Sequence, residues 1–224
     1  MTRKLTVGRV EPKSGETKTV VAFVHGYGAN GADLLGLAQP LGGYLPDTLF
    51  LAPDAPEPCA GNPMGFQWFP LPWIDGSSEA AARASMALAV GDLQGFIDDT
   101  LAETGVSPQN FYLFGFSQGT MLSLHVAPRR DEAIGGVVGF SGRLMQPETL
   151  EAEAKVKPPV ILIHGDSDEV VPYSAMQEAG NALSAAGFET YAHTMKGTGH
   201  GIDPDGLSTA LAFLRQQMEG KAGA

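Results

Sequence analysis

The residues best placed to do chemistry are Gly115-Phe116-Ser117-Gln118-Gly119, which stand between an apolar run and a segment with helical spacing. A serine that leaves a strand and enters a helix on a sharp turn presents its hydroxyl at the sheet edge. Glycines two residues to either side spare that turn a clash. The helix that follows aims its N-terminal dipole at the seryl oxygen, where negative charge would develop. The pentapeptide is a weak signal in a chain with 29 glycines, so its strand-to-helix context carries the argument. Ser117 is therefore read as a nucleophile.

A serine hydroxyl needs a histidine to take its proton and a carboxylate to orient that histidine. On a parallel α/β sheet the chain order is serine, acid, histidine. Five histidines are present. His25 precedes the serine, His125 lies in the helix after it, and His164 ends a strand before the acid candidates. His193 falls inside an alternating strand pattern and reads as structural. His200, in the Gly-flanked loop "KGTGHGID", can swing over the sheet edge and is the expected base. The acid should come from "VILIHGDSDEVVP", which offers Asp166, Asp168 and Glu169. Asp168 is preferred because the segment resembles a hydrolase acid turn of the form Gly-x-x-Asp-x-x-Val-Pro. Asp166 is expected to brace the turn through its own backbone, and Glu169 to be a solvated charge.

"FVHGYGANG" at 23–31 supports two readings. As Gly26-x-Gly28-x-x-Gly31 it matches a dinucleotide fingerprint, with Asp54 where a ribose-binding carboxylate would stand. As a loop after an early strand it offers the backbone N–H of Tyr27 to an oxyanion, the second donor being the N–H of Gln118. The dinucleotide reading leaves the serine, acid and histidine unexplained, so the oxyanion reading is adopted.

The elements that must hold these residues follow from hydropathy. Strand-like apolar runs recur at 19–25, 48–52, 110–115, 134–140, 160–164 and 189–194, and helical stretches at 79–104, 117–127, 174–186 and 204–219. Continuously apolar strands alternating with helices predict an open α/β sheet, mostly parallel and covered on both faces. The length of 224 residues predicts one domain. Residues 1–17 read as an N-terminal extension or edge strand, 53–78 as a long loop over the active-site edge, and 220–224 as a frayed tail.

Composition bounds the partners. With 14 basic against 25 acidic residues the formal charge is −11, which disfavours nucleic acid and anionic lipid. No run of about 18 apolar residues exists to span a bilayer, and no apolar signal core follows the charged N-terminus. The single cysteine, Cys59, excludes an internal disulfide framework and a cysteine-rich zinc site. A cytoplasmic protein is expected.

Taken together, "HGYGANGADL", "FLAPDAP", "QWFPL", "NFYLFGFSQGTMLSL", "GFSGRL", "ILIHGDSDEVVP" and "GTGHGI" resemble the phospholipase/carboxylesterase family of α/β-hydrolases, in the family's order over nearly the whole chain. The resemblance implies an α/β-hydrolase fold with a minimal cap, acting without metal or organic cofactor on carboxylic esters or thioesters. By position it implies Ser117 as nucleophile, Asp168 as acid, His200 as base, and Trp68 on the acyl side of the cleft. Phe69, Leu71 and Val170 are expected to line an apolar substrate site with it, suited to short or medium acyl chains. Trp73, Leu144 and Met145 read equally well as lining, core or interface. The aromatics of 66–74 could cover the cleft, form a homodimer contact, or both. An acyl-protein thioesterase or lysophospholipase would use the same three side chains, whereas a non-catalytic binding protein on this fold would typically lack one.

Overall fold

Val20, Ala22 and Val24 belong to one apolar cluster and Val21 and Phe23 to another. This is the two-residue alternation of a strand buried on both faces. The computed structural model describes residues 2–59 and 61–222. Its strands are β1 (Val7–Val10), β2 (Thr19–Val24), β3 (Thr48–Pro53), β4 (Glu57–Cys59), β5 (Asn62–Gln67), β6 (Phe111–Phe116), β7 (Gly136–Phe140), β8 (Val160–Gly165) and β9 (Thr190–Met195). Its helices are α1 (Gly31–Leu35), α2 (Ala38–Leu41), α3 (Pro72–Asp75), α4 (Glu79–Thr104), α5 (Gln118–Val126), α6 (Leu150–Glu153), α7 (Ser174–Ala185) and α8 (Pro204–Ala222).

Seven strands form one sheet in the order β1-β3-β2-β6-β7-β8-β9. All neighbours pair in parallel except β1, which runs antiparallel to β3 at the edge. Met86, Leu93 and Ile97 of α4, Met121 and Leu122 of α5, and Met176 and Leu183 of α7 cover one face. Leu34 of α1, Leu41 of α2, and Phe213 and Leu214 of α8 cover the other. The helices between parallel strands thus supply both layers of an α/β-hydrolase fold. Among the described residues no helix is long and apolar enough to cross a membrane.

The six expected strands and the first three expected helices appear within two residues of their anticipated ends, and the last helix, expected to end at 219, runs on to Ala222. Two stretches differ. Residues 53–78, read as a loop, contain the antiparallel pair β4-β5 and the single turn α3. Proline and glycine there read as turns, and they hide a short local hairpin in which Glu57 pairs with Gln67 and Cys59 with Asn62. The tail expected to fray from 220 is helical as far as Ala222, and residues 223 and 224 lie outside the described residues.

The 53–78 excursion is fastened to the carboxyl edge by polar contacts. Gln118, the first residue of α5, is fully buried. Its side-chain oxygen accepts the N–H of Trp68 at 2.9 Å, and its amide nitrogen donates to the carbonyl of Phe69 at 2.6 Å. Trp68 Nε1 donates to the His25 carbonyl at 3.0 Å, and the Ala55 N–H donates to His25 Nε2 at 2.9 Å. The other ring nitrogen of His25 faces the Gly26 carbonyl at 2.8 Å and so carries the proton. Burial holds His25 below the ordinary histidine range, keeping it neutral and able to accept at Nε2.

Each of these buried backbone groups left unpaired would cost about 1–3 kcal/mol. The Gln118→Met substitution, which strands both the Trp68 N–H and the Phe69 carbonyl, should therefore lower stability by about 2 kcal/mol or more. In thermal unfolding followed by circular dichroism this corresponds to a fall of about 5 °C or more.

Candidate active site

Ser117 joins β6 to α5 with φ 53° and ψ −115°, outside the regions open to an L-residue without cost. Its N–H donates to the Phe140 carbonyl at 2.9 Å, tying the turn to β7. The side chain does not cap the helix. Ser117 is 7% exposed, so the hydroxyl sits in an almost closed recess.

The flanking glycines are required by close approach. A Cβ on Gly119 would lie 1.8 Å from the Val24 carbonyl oxygen, and one on Gly115 would lie 2.6 Å from the backbone of Thr120. The helix can therefore enter beside β2 only where both side chains are absent.

Asp168 ends the turn after β8, and its side chain has no solvent exposure. Its Oδ1 accepts the N–H groups of Val170 at 2.8 Å and Val171 at 2.9 Å. Its Oδ2 faces His200 Nδ1 at 2.7 Å. Desolvation alone would raise this carboxyl. The hydrogen bond with His200 and the two backbone donors outweigh it and hold Asp168 below the usual carboxylate range. With Nδ1 donating to the carboxylate, His200 is left with Nε2 as an acceptor.

The His200 ring packs on that of Phe116, the residue before Ser117, with centroids 4.9 Å apart. Its loop is seated on the acid turn. The Ser167 N–H donates to the Thr198 carbonyl at 3.1 Å, and a Cβ on Gly165 would meet that same carbonyl oxygen at 2.1 Å. Asp166 serves this seating. Its Oδ1 accepts the Gly197 N–H at 2.7 Å, and Lys196 lies 3.3 Å from Oδ2. Asp166 was expected to brace its own turn. It spans instead to the next loop, because the parallel arrangement of β8 and β9 brings their two exits side by side. Glu169 is exposed, and His193 pairs with Asp205 at 2.7 Å.

The loop after β2 completes the recess. Among the described residues, the N–H groups of Tyr27 and Gln118 donate to no protein acceptor. This leaves two backbone donors at the edge from which Ser117 projects. The loop is braced by Gly28 N–H to the Phe66 carbonyl at 2.9 Å and Phe66 N–H to the Ala29 carbonyl at 2.7 Å. The Tyr27 hydroxyl donates to Asp75 at 3.2 Å. Burial, reinforced by the Cys59 thiol, pushes the Tyr27 phenol up and keeps it un-ionised.

This geometry also disposes of the dinucleotide reading. Asp54 Oδ1 accepts the Gly31 N–H at 2.8 Å, and a Cβ on Gly31 would sit 2.4 Å from the Ala52 carbonyl oxygen. The third glycine and the carboxylate therefore secure α1 to β3.

Trp68, Phe69 and Leu71 are buried in the core cluster. They form the body of a wall, and the Trp68 indole is committed to the His25 carbonyl. Val170 is 55% exposed and Trp73 52% exposed. Leu144 is buried and Met145 half-buried against the same cluster. Arg143 stacks over the Trp73 ring at 5.7 Å. Among the described residues no cluster of three or more His, Cys, Asp or Glu could hold a metal ion. Sequence reasoning missed the side-chain clamp of Gln118 and the bracing by Asp75, since both partners are backbone groups or residues tens of positions away.

The model of the Phospholipase/Carboxylesterase family matches residues 5–218. Acyl-protein thioesterase 1 of Gibberella zeae is 27% identical over 97% of this chain and 100% of its own length. Esterase YpfH of Escherichia coli is 27% identical over 92% of this chain and 86% of its own. Among solved structures, esterase PE8 is 42% identical with a TM-score of 0.90, covering 96% of this chain and 99% of that one. With a recess of this construction and a family match along almost its full length, the chain belongs to the phospholipase/carboxylesterase family.

Proposed function

We propose that the protein is a serine carboxylesterase that cleaves short to medium acyl esters through an acyl-enzyme on Ser117. The observation that carries this reading is the 2.7 Å contact between Asp168 and His200, with the imidazole packed against Phe116 beside the strained serine turn. His200 Nε2 takes the Ser117 proton as the hydroxyl attacks the ester carbonyl. Asp168 keeps Nδ1 protonated and offsets the charge that forms on the ring. The carbonyl oxygen, now negative, receives hydrogen bonds from the N–H groups of Tyr27 and Gln118. Such a donor contributes about 2.7–4 kcal/mol to transition-state stabilisation. His200 then returns the proton to the departing alcohol, and the same ring activates water to release the acid.

The family match and the names of the similar proteins, esterases and an acyl-protein thioesterase, support hydrolysis at an acyl carbonyl. Thioesters present the same carbonyl to the same groups, so thioesterase or lysophospholipase activity is the second reading. The buried wall of Trp68, Phe69 and Leu71 supports short or medium acyl groups, because side chains already packed in the core leave little depth beside the serine. No metal or organic cofactor enters this mechanism. The reading takes a small-molecule ester or thioester as partner and, for the lone thiol of Cys59, a reducing cytoplasm. Exposed Trp73 and Ile74 at the rim are the surface on which a homodimer would form.

Purified protein should hydrolyse p-nitrophenyl acetate, and Ser117→Ala should lower kcat by about 10⁴-fold or more. A variant with undiminished turnover overturns the assignment. The profile of kcat/KM against pH should show one single-proton acid limb. Uptake of a proton by His200 removes the base, while Asp168, held below the usual carboxylate range, stays ionised across that window. Across straight-chain p-nitrophenyl esters, kcat/KM should be higher for acetate and butyrate than for palmitate. A rise toward palmitate would point to a lipid substrate.

A further inference from the structure

His164, excluded as the base because of its place in the chain, is one of the most deeply buried polar side chains in the protein at 1% exposure. It stands near the end of β8, four residues before Asp168, where an apolar side chain would cost nothing to bury. An imidazole there needs partners for its polar edge. Its Nε2 lies 3.0 Å from the Val171 carbonyl oxygen and 3.2 Å from Asp168 Oδ2. Both neighbours are acceptors, so Nε2 carries the proton.

The two oxygens of Asp168 are thus held differently. Oδ1 is fixed by the Val170 and Val171 amides. Oδ2, the oxygen facing His200, has His164 as a second neighbour. Without it, Oδ2 would be held only by His200 and, through the carboxylate plane, by the two amides on Oδ1. The Tyr173 ring closes over the imidazole edge to face at 6.1 Å. His164 is thereby kept in a single orientation.

We propose that His164 is a positioning residue: its Nε2–H is donated to the Val171 carbonyl, and its ring edge, 3.2 Å from Asp168 Oδ2, keeps the carboxylate in the plane that meets His200 Nδ1. This rests on the assignment of Asp168 and His200 as acid and base. His164 touches no reacting atom. It acts through Asp168, so its loss should slow the proton transfer and leave substrate binding alone.

The test is a double-mutant cycle on the full chain, with p-nitrophenyl acetate as substrate and fold checked by circular dichroism. His164→Phe should lower kcat about 10- to 100-fold with KM changed less than about twofold. His164→Gln, which places an amide N–H at the same bond count from the backbone, should recover most of the loss. In an Asp168→Asn background, His164→Phe should change the residual kcat by less than about twofold. Should the phenylalanine variant not fold, His164→Met against His164→Gln makes the same comparison. An equal fold-loss in both backgrounds, a loss confined to KM, or a glutamine no better than phenylalanine or methionine would overturn the proposal and leave His164 as a brace for Val171 alone. Wild-type kcat in Asp168→Asn by itself would instead overturn the acid assignment.

Discussion

Ser117 is held in a backbone conformation that costs about 1–3 kcal/mol, and the surrounding structure exists in a form that imposes it. Two contacts do so. The glycine after the turn lets α5 approach until its backbone meets the Val24 carbonyl, and the Ser117 N–H is drawn to Phe140. Four large apolar side chains of α5, Met121, Leu122, Leu124 and Val126, are buried at the same time. Each stabilises the docked helix by about 1.5 kcal/mol or more, so helix packing outweighs the strain several-fold. The turn is therefore a consequence of docking α5 into the sheet, and the placement of the hydroxyl in the recess follows from the turn.

Strain collects along the same edge. Ser141, directly after β7, and Gln146 a few residues on also have positive φ, at 47° and 51°. Parallel strands all end here, and their exits must turn sharply to make a recess instead of running straight into solvent. The hydroxyl of Ser141 is fully buried and has no hydrogen-bond partner among the described residues, a second cost borne at this rim.

The recess is kept in register by buried polar contacts. A carboxylate removed from water is tolerable only when its lone pairs are occupied, and Asp168 meets that condition through two amides and the His200 imidazole. The 53–78 excursion obeys the same rule. Its backbone lies over the sheet edge, where no strand can pair with Trp68 or Phe69, and the Gln118 amide supplies the missing donor and acceptor. Chemistry and architecture share residues in consequence. Gln118 offers its backbone N–H to the recess and its side chain to the wall, and His25 holds the wall from below the Tyr27 loop.

Local information was enough for the strands and long helices, because the continuously apolar runs of β2 and β6 and the apolar stripe of α7 are written in consecutive residues. The pairing of Asp168 with His200 was anticipated too, since a parallel sheet carries the exits of β8 and β9 to one edge. Other features were not. β4 and β5 pair through positions whose proline and glycine content reads as loop. Asp166 reaches Gly197, Gln118 reaches Trp68, and His164 meets Asp168 by a turn geometry that spacing does not reveal. Which strand neighbours which, and hence which loops touch, was decided only when hydrogen bonding placed β8 between β7 and β9. The sequence by itself determined what could be buried and what could react. Tertiary structure decided which buried polar group each reactive one would face, because those partners are set by distances across the sheet and not along the chain.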